Sequence, residues 1–143
     1  MTPLVLFLRG KIHGTENLHL MAYVLSSFGL LNYQFVRQNS LWSPRLNEDI
    51  RAIDSQNNLS ITYEFDPDTR RVFNIKQRPS LELSKEALWL LDQIDFMRTM
   101  SKNERDQLIF SYLEFSMFEI GDIVPLNKNA VAKLLVFRQK GSI

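Results

Sequence analysis

The chain has 143 residues, 45% of them apolar and 23% charged, which is the length and balance of one ordinary globular domain rather than of a disordered or fibrous chain. Seventeen Lys and Arg stand against sixteen Asp and Glu for a formal net charge of +1, so no global field draws the protein to nucleic acid or to an anionic membrane, and any binding patch has to be local. The absence of cysteine excludes disulfides, thiolate catalysis and the common structural zinc sites, and suits the cytoplasm.

Thr2 and Pro3 form a helix start, with a capping hydroxyl followed by a proline where a missing N–H costs nothing. The apolar run from Leu4 to Leu8 is far shorter than the roughly 20 residues that span a bilayer, and it reads as a first core helix ending near Gly10. A linker from Lys11 to Gly14 leads to Thr15, a second cap. Leu18, Met21, Ala22, Leu25 and Phe28 then recur at three- and four-residue intervals, and Gly29 closes that helix. Tyr33 to Arg37 fits a short strand. Ser43 and Pro44 repeat the cap and proline start, and Leu46, Ile50, Ile53 and Asn57 form the stripe of a third helix ending around Gln56 to Asn58.

Leu59, Ile61, Tyr63 and Phe65 alternate with polar residues in the period of two that marks a strand with one buried face. Asp66 to Thr69 supply a turn and Val72 to Lys76 a returning strand, which together make a hairpin. Ser84 caps a further helix with Leu88, Leu91, Ile94 and Asp95 on one side, ending near Met97. Ser101 and Glu104 form a capping box for the next, and a last helix covers Lys128 to Gln139. No internal repeat or linker divides the chain, so 1–143 reads as a single domain of class α+β, mostly helical. Residues 3–78 form a core and 79–143 a C-terminal extension of three helices.

Helix, helix, short strand, helix and hairpin is a variant of the winged-helix order, in which a helix pair supports a reading helix and the hairpin is the wing. The segments GTENLHLMAYVLSSFGLLNYQF and SLWSPRLNEDIRAIDSQNNLSI carry this order. They resemble the Panacea or SocA-like antitoxin domain and its YwgA-like relatives over roughly residues 3 to 77, although Leu41 to Pro44 stand where that family has a glycine-containing turn. The resemblance implies a non-catalytic regulatory module acting through protein contacts and through DNA.

In the wing, Arg70, Arg71, Lys76 and Arg78 carry four positive charges with no acid from Thr69 through Ser80, a pattern that can lie along phosphates or simply keep a sheet edge solvated. On the third helix Arg45, Glu48, Arg51 and Ser55 should face outward, so Arg45 and Arg51 are further candidates for DNA contact. Glu48, Asp49 and Asp54 oppose it. His13 and His19, the two histidines, do not share a helical face and suggest no metal site; they read as surface or half-buried structural residues. Phosphate-cradling glycine loops, nucleophile elbows and zinc-binding His-Glu motifs are absent, so neither a cofactor nor an enzymatic activity is expected.

The helix after Ser101 carries apolar residues through Ile120, distributed all around its axis. Phe110, Leu113, Phe115 and Phe118 are therefore candidate interface residues, for a homodimer or another protein partner. Trp89 reads as core or interface, and Trp42 as an anchor for the turn before the third helix. The function expected from all this is a winged-helix transcription regulator that binds duplex DNA. The alternative is an antitoxin-like adaptor acting through its aromatic helices without DNA.

Overall fold

The computed structural model describes residues 4, 7–55, 59–63, 71–75 and 83–139. These residues form an α+β structure of five α-helices and two small antiparallel sheets. Leu4, Phe7 and Leu8 are helical and buried, as the N-terminal apolar run requires, while the Thr2 and Pro3 start lies outside the described residues.

The segment expected to be a linker is instead a strand, β1 (Gly10–His13), antiparallel to the second hairpin strand. Its own sequence is too short and too polar to announce this, and its pairing partner lies about sixty residues away in the chain. Gly14 follows with φ of 89°, a backbone turn that favours glycine, and it caps helix α1 (Thr15–Ser27) in place of Thr15, with no side-chain cap. From Asn17 to Ser26 every residue of α1 is buried, so this is the central helix of the molecule.

Two short strands, β2 (Phe35–Arg37) and β3 (Leu41–Trp42), pair before helix α2 (Pro44–Ser55). Tyr33 is buried but precedes the strand rather than opening it, and Trp42 lies in β3 rather than in a turn. The Ser43 Oγ accepts from the Leu46 N–H at 3.3 Å, the expected cap for α2, and Leu46, Ile50 and Ile53 are its buried stripe. Asn57 and the expected helix end at 56–58 lie outside the described residues.

The hairpin forms as β4 (Leu59–Tyr63) and β5 (Arg71–Ile75), in register from Leu59 opposite Ile75 to Tyr63 opposite Arg71; its turn lies outside the described residues. With β1 added to its far side the sheet order is β1-β5-β4. Val72 and Phe73, adjacent on the central strand and therefore on opposite faces, are both buried.

Helix α3 (Lys85–Ile94) starts at the predicted Ser84 cap, whose Oγ accepts from the Ala87 N–H, and runs on into a 3-10 turn, Asp95–Thr99. Its buried stripe is Ala87, Leu90, Ile94 and Met97, which keeps the predicted Ile94 but takes Ala87 and Leu90 in place of Leu88 and Leu91, and Leu88 and Trp89 face solvent. Helix α4 (Lys102–Tyr112) opens with the full Ser101 and Glu104 capping box. It does not continue to Ile120. Glu114 adopts a left-handed conformation, φ of 52°, and breaks it; a 3-10 turn (Phe115–Met117), the strand β6 (Ile123–Val124) and helix α5 (Lys128–Gln139) follow.

The C-terminal segment is joined closely to the core. Strand β6 completes a second sheet of order β3-β2-β6, and the Tyr23 hydroxyl on α1 donates to the Pro125 carbonyl at 2.8 Å. Arg37 on β2 donates to the carbonyls of Phe115 and Phe118, and its guanidinium lies 4.8 Å from the Phe115 ring centre. Beneath α4, the buried Asn17 donates to the carbonyls of His13 at 2.8 Å and Met100 at 2.9 Å and accepts from Arg105 at 3.2 Å; Arg105 also pairs with Glu16.

Candidate nucleic-acid interface

Helix α2 buries its apolar stripe against the core, and the helical repeat then turns Arg45, Glu48, Arg51 and Ser55 outward, all four of them exposed as expected. The acids that count against an anionic partner are not equivalent. Asp49 is half-buried on the flank, where its Oδ2 accepts the Tyr33 hydroxyl proton at 2.5 Å, and Arg45 lies 6.0 Å from the Tyr33 ring centre. Burial and the bond to Asp49 push the Tyr33 phenol above its ordinary range, so it stays a donor. Asp49 is therefore engaged with the core side of the helix. Glu48 and Asp54 remain exposed.

Of the four wing cations, Arg71 is described: it opens β5, is exposed, and its carbonyl accepts from the Gly14 N–H, which ties the hairpin to the start of α1. Arg70, Lys76 and Arg78 lie outside the described residues.

The four aromatic-helix candidates separate once the helix is broken at Glu114. Phe110 is exposed on α4 and Phe118 is half-buried, but Leu113 and Phe115 are buried in the hydrophobic core. Phe110 and Phe115 meet edge to face with ring centres 5.4 Å apart. Further exposed apolar side chains follow in the chain, at Met117, Ile120, Ile123 on β6, and Leu126.

His13 is half-buried in β1, and His19 is wholly buried on α1. The His19 Nδ1 accepts the Ser43 N–H at 3.0 Å, and its ring stacks on Trp42 with centres 4.1 Å apart. Burial pushes its pKa down to about 3, so it is neutral with its proton on Nε2, and Nε2 has no partner among the described residues. This bridge sets where α2 begins. The sequence offers a signal for it only in retrospect, a histidine in the middle of an apolar helix together with the one tryptophan that precedes α2.

Among the described residues no group of three His, Cys, Asp or Glu could hold a metal ion, and no helix is long and apolar enough to cross a membrane. No protein-family model, curated protein or solved structure matches this chain.

Proposed function

We propose that the chain is a non-enzymatic winged-helix regulator that binds duplex DNA, with α2 as reading helix and the β4-β5 hairpin as wing. The observation that carries this reading is the order of elements: helical residues at Leu4, Phe7 and Leu8, then β1, α1, the short strands β2 and β3, α2, β4 and β5, with the hairpin's second strand at the centre of a β1-β5-β4 sheet. This is the arrangement in which a helix pair presents one helix outward beside a hairpin. The outward Arg45 and Arg51 and the engagement of Asp49 by Tyr33 support it, as do the wing residues Arg70, Arg71, Lys76 and Arg78. The resemblance to the Panacea or SocA-like domains agrees with a regulatory, cofactor-free role.

Binding of a labelled mixed-sequence duplex, followed by fluorescence anisotropy at low and moderate salt, tests the reading. The expected result is salt-sensitive binding in which replacing the four wing cations by alanine weakens affinity evenly across sequences, with the salt slope falling by about 1 for each phosphate that is no longer neutralised. Arg51→Ala should instead alter sequence preference. An affinity unchanged by the wing variant contradicts the assignment.

A second reading, a protein-binding adaptor or homodimer, is favoured by Met117 and Ile120, which expose 74% and 70% of their surface in the segment that leads into β6. There Ile120→Asp would reduce the mass of the particle in solution or release a partner, with DNA affinity unaffected.

A further inference from the structure

We propose that the cleft between the start of α1, the β2-β3 turn and β5 is a site for an uncharged nucleoside, held through its base. Its volume of about 570 Å³ falls within the range of small-molecule sites. The charges around it are already matched. Glu16 on its wall is paired with Arg105, and Arg71, the one cation of the lining, is itself engaged. Arg51 and Asp54, one of each sign, join Arg71 on the wall of an adjoining cavity. An ionic ligand would be desolvated there without a free counter-charge, so recognition falls to neutral groups. Those are the carboxamides of Gln38, Asn39 and Asn47, the Ser40 hydroxyl and the Trp42 indole.

Two buried polar groups point to an occupant. Ser40 lines the cleft with 3% of its surface exposed, and its Oγ has no hydrogen-bond partner among the described residues. His19 lines the adjoining cavity of about 80 Å³, which shares Thr15, Asn47 and Arg71 with the cleft, and its Nε2 proton is likewise unpartnered. Buried donors left unmatched are costly, and the carbonyl and ring-nitrogen acceptors of an uncharged base relieve that cost. A carboxamide carries a donor and an acceptor side by side, the pattern that meets the edge of a base in two hydrogen bonds. Trp42 borders the cleft, and its stack on His19 holds the indole in place, so a flat apolar surface for a base is formed before any ligand arrives. Because Asn47 belongs to α2 and Arg71 to β5, an occupant touches both elements of the proposed DNA surface.

The chain has two tryptophans, so Trp89→Phe leaves Trp42 as the sole indole reporter. Excited at the red edge of the indole band, where nucleosides do not absorb, that variant is titrated without DNA with adenosine, guanosine, cytidine and uridine, and in parallel with the corresponding monophosphates and with ribose. At least one nucleoside should quench Trp42 saturably with a midpoint below roughly 1 mM. Its monophosphate should bind no more tightly, and ribose more weakly. Asn39→Ala, at an exposed position, and Ser40→Ala should each raise the midpoint by about fivefold, the loss of one hydrogen bond. Ser40→Ala should do so without lowering stability in urea, because the hydroxyl has no partner to lose in the free protein. The absence of a saturable response to any nucleoside overturns the site, and so does a midpoint unmoved in both variants. A monophosphate that binds more tightly than its nucleoside overturns the uncharged class, and ribose binding as tightly overturns the role of the base. None of these outcomes depends on whether the protein binds DNA.

Discussion

At position 19 the chain buries an imidazole that folding keeps neutral, and this makes stability depend on pH. The folded ring titrates at about 3 against an ordinary value of 6.5, so the unfolded chain takes up the proton more readily. The contribution of the neutral ring is complete above about 6.5 and is lost as pH falls towards 3. Phenylalanine would keep the stack on Trp42 but cannot protonate. Urea denaturation at pH 7 and pH 4 should therefore show a larger fall in stability for the wild type than for His19→Phe; equal falls would remove the imidazole from the account. Asn17 acts through hydrogen bonds alone. Its amide joins β1, α1 and α4, and Asn17→Ala removes its hydrogen bonds to the His13 and Met100 carbonyls and to Arg105, so it should cost about 3 kcal/mol in the same assay. Neither role is legible from composition or spacing, because each is defined by partners distant in the chain, such as Met100 and Arg105 for Asn17.

Element boundaries divide by the reach of their signals. The Ser43, Ser84 and Ser101 caps are readable because a cap is an interaction within one turn, and all three hydroxyls accept the expected N–H. Ser101→Ala should cost about 1 kcal/mol, measured by thermal or urea denaturation. The expected long helix through Ile120 does not form, because an apolar run looks the same whether it is one helix or a helix, a left-handed break and a turn. The break decides the energetics: Phe115 is fully buried and Phe110 is exposed. Phe115→Ala should therefore lose about 3–5 kcal/mol, whereas Phe110→Ala should lose a small fraction of that. Comparable losses would mean that the two rings occupy similar environments.

Across the whole molecule, the C-terminal third contributes β6 to one sheet and Phe115, Val131, Leu134 and Leu135 to the common core. Removing residues 114–143 should abolish the cooperative unfolding transition rather than leave a stable N-terminal domain, a result read directly from a denaturation curve. By itself the sequence determined the mixed α+β class, the third helix with its outward arginines, the strands of the hairpin and the Ser43, Ser84 and Ser101 caps, because periodicity and capping act over a few residues. Only the tertiary structure decided that Lys11 to His13 pair with β5, that β6 closes a second sheet, that Asp49 is drawn to Tyr33, and that His19 and Trp42 position α2. Each of these joins segments far apart in the chain. Such pairings depend on which buried donors and faces meet after collapse, and no local pattern encodes that.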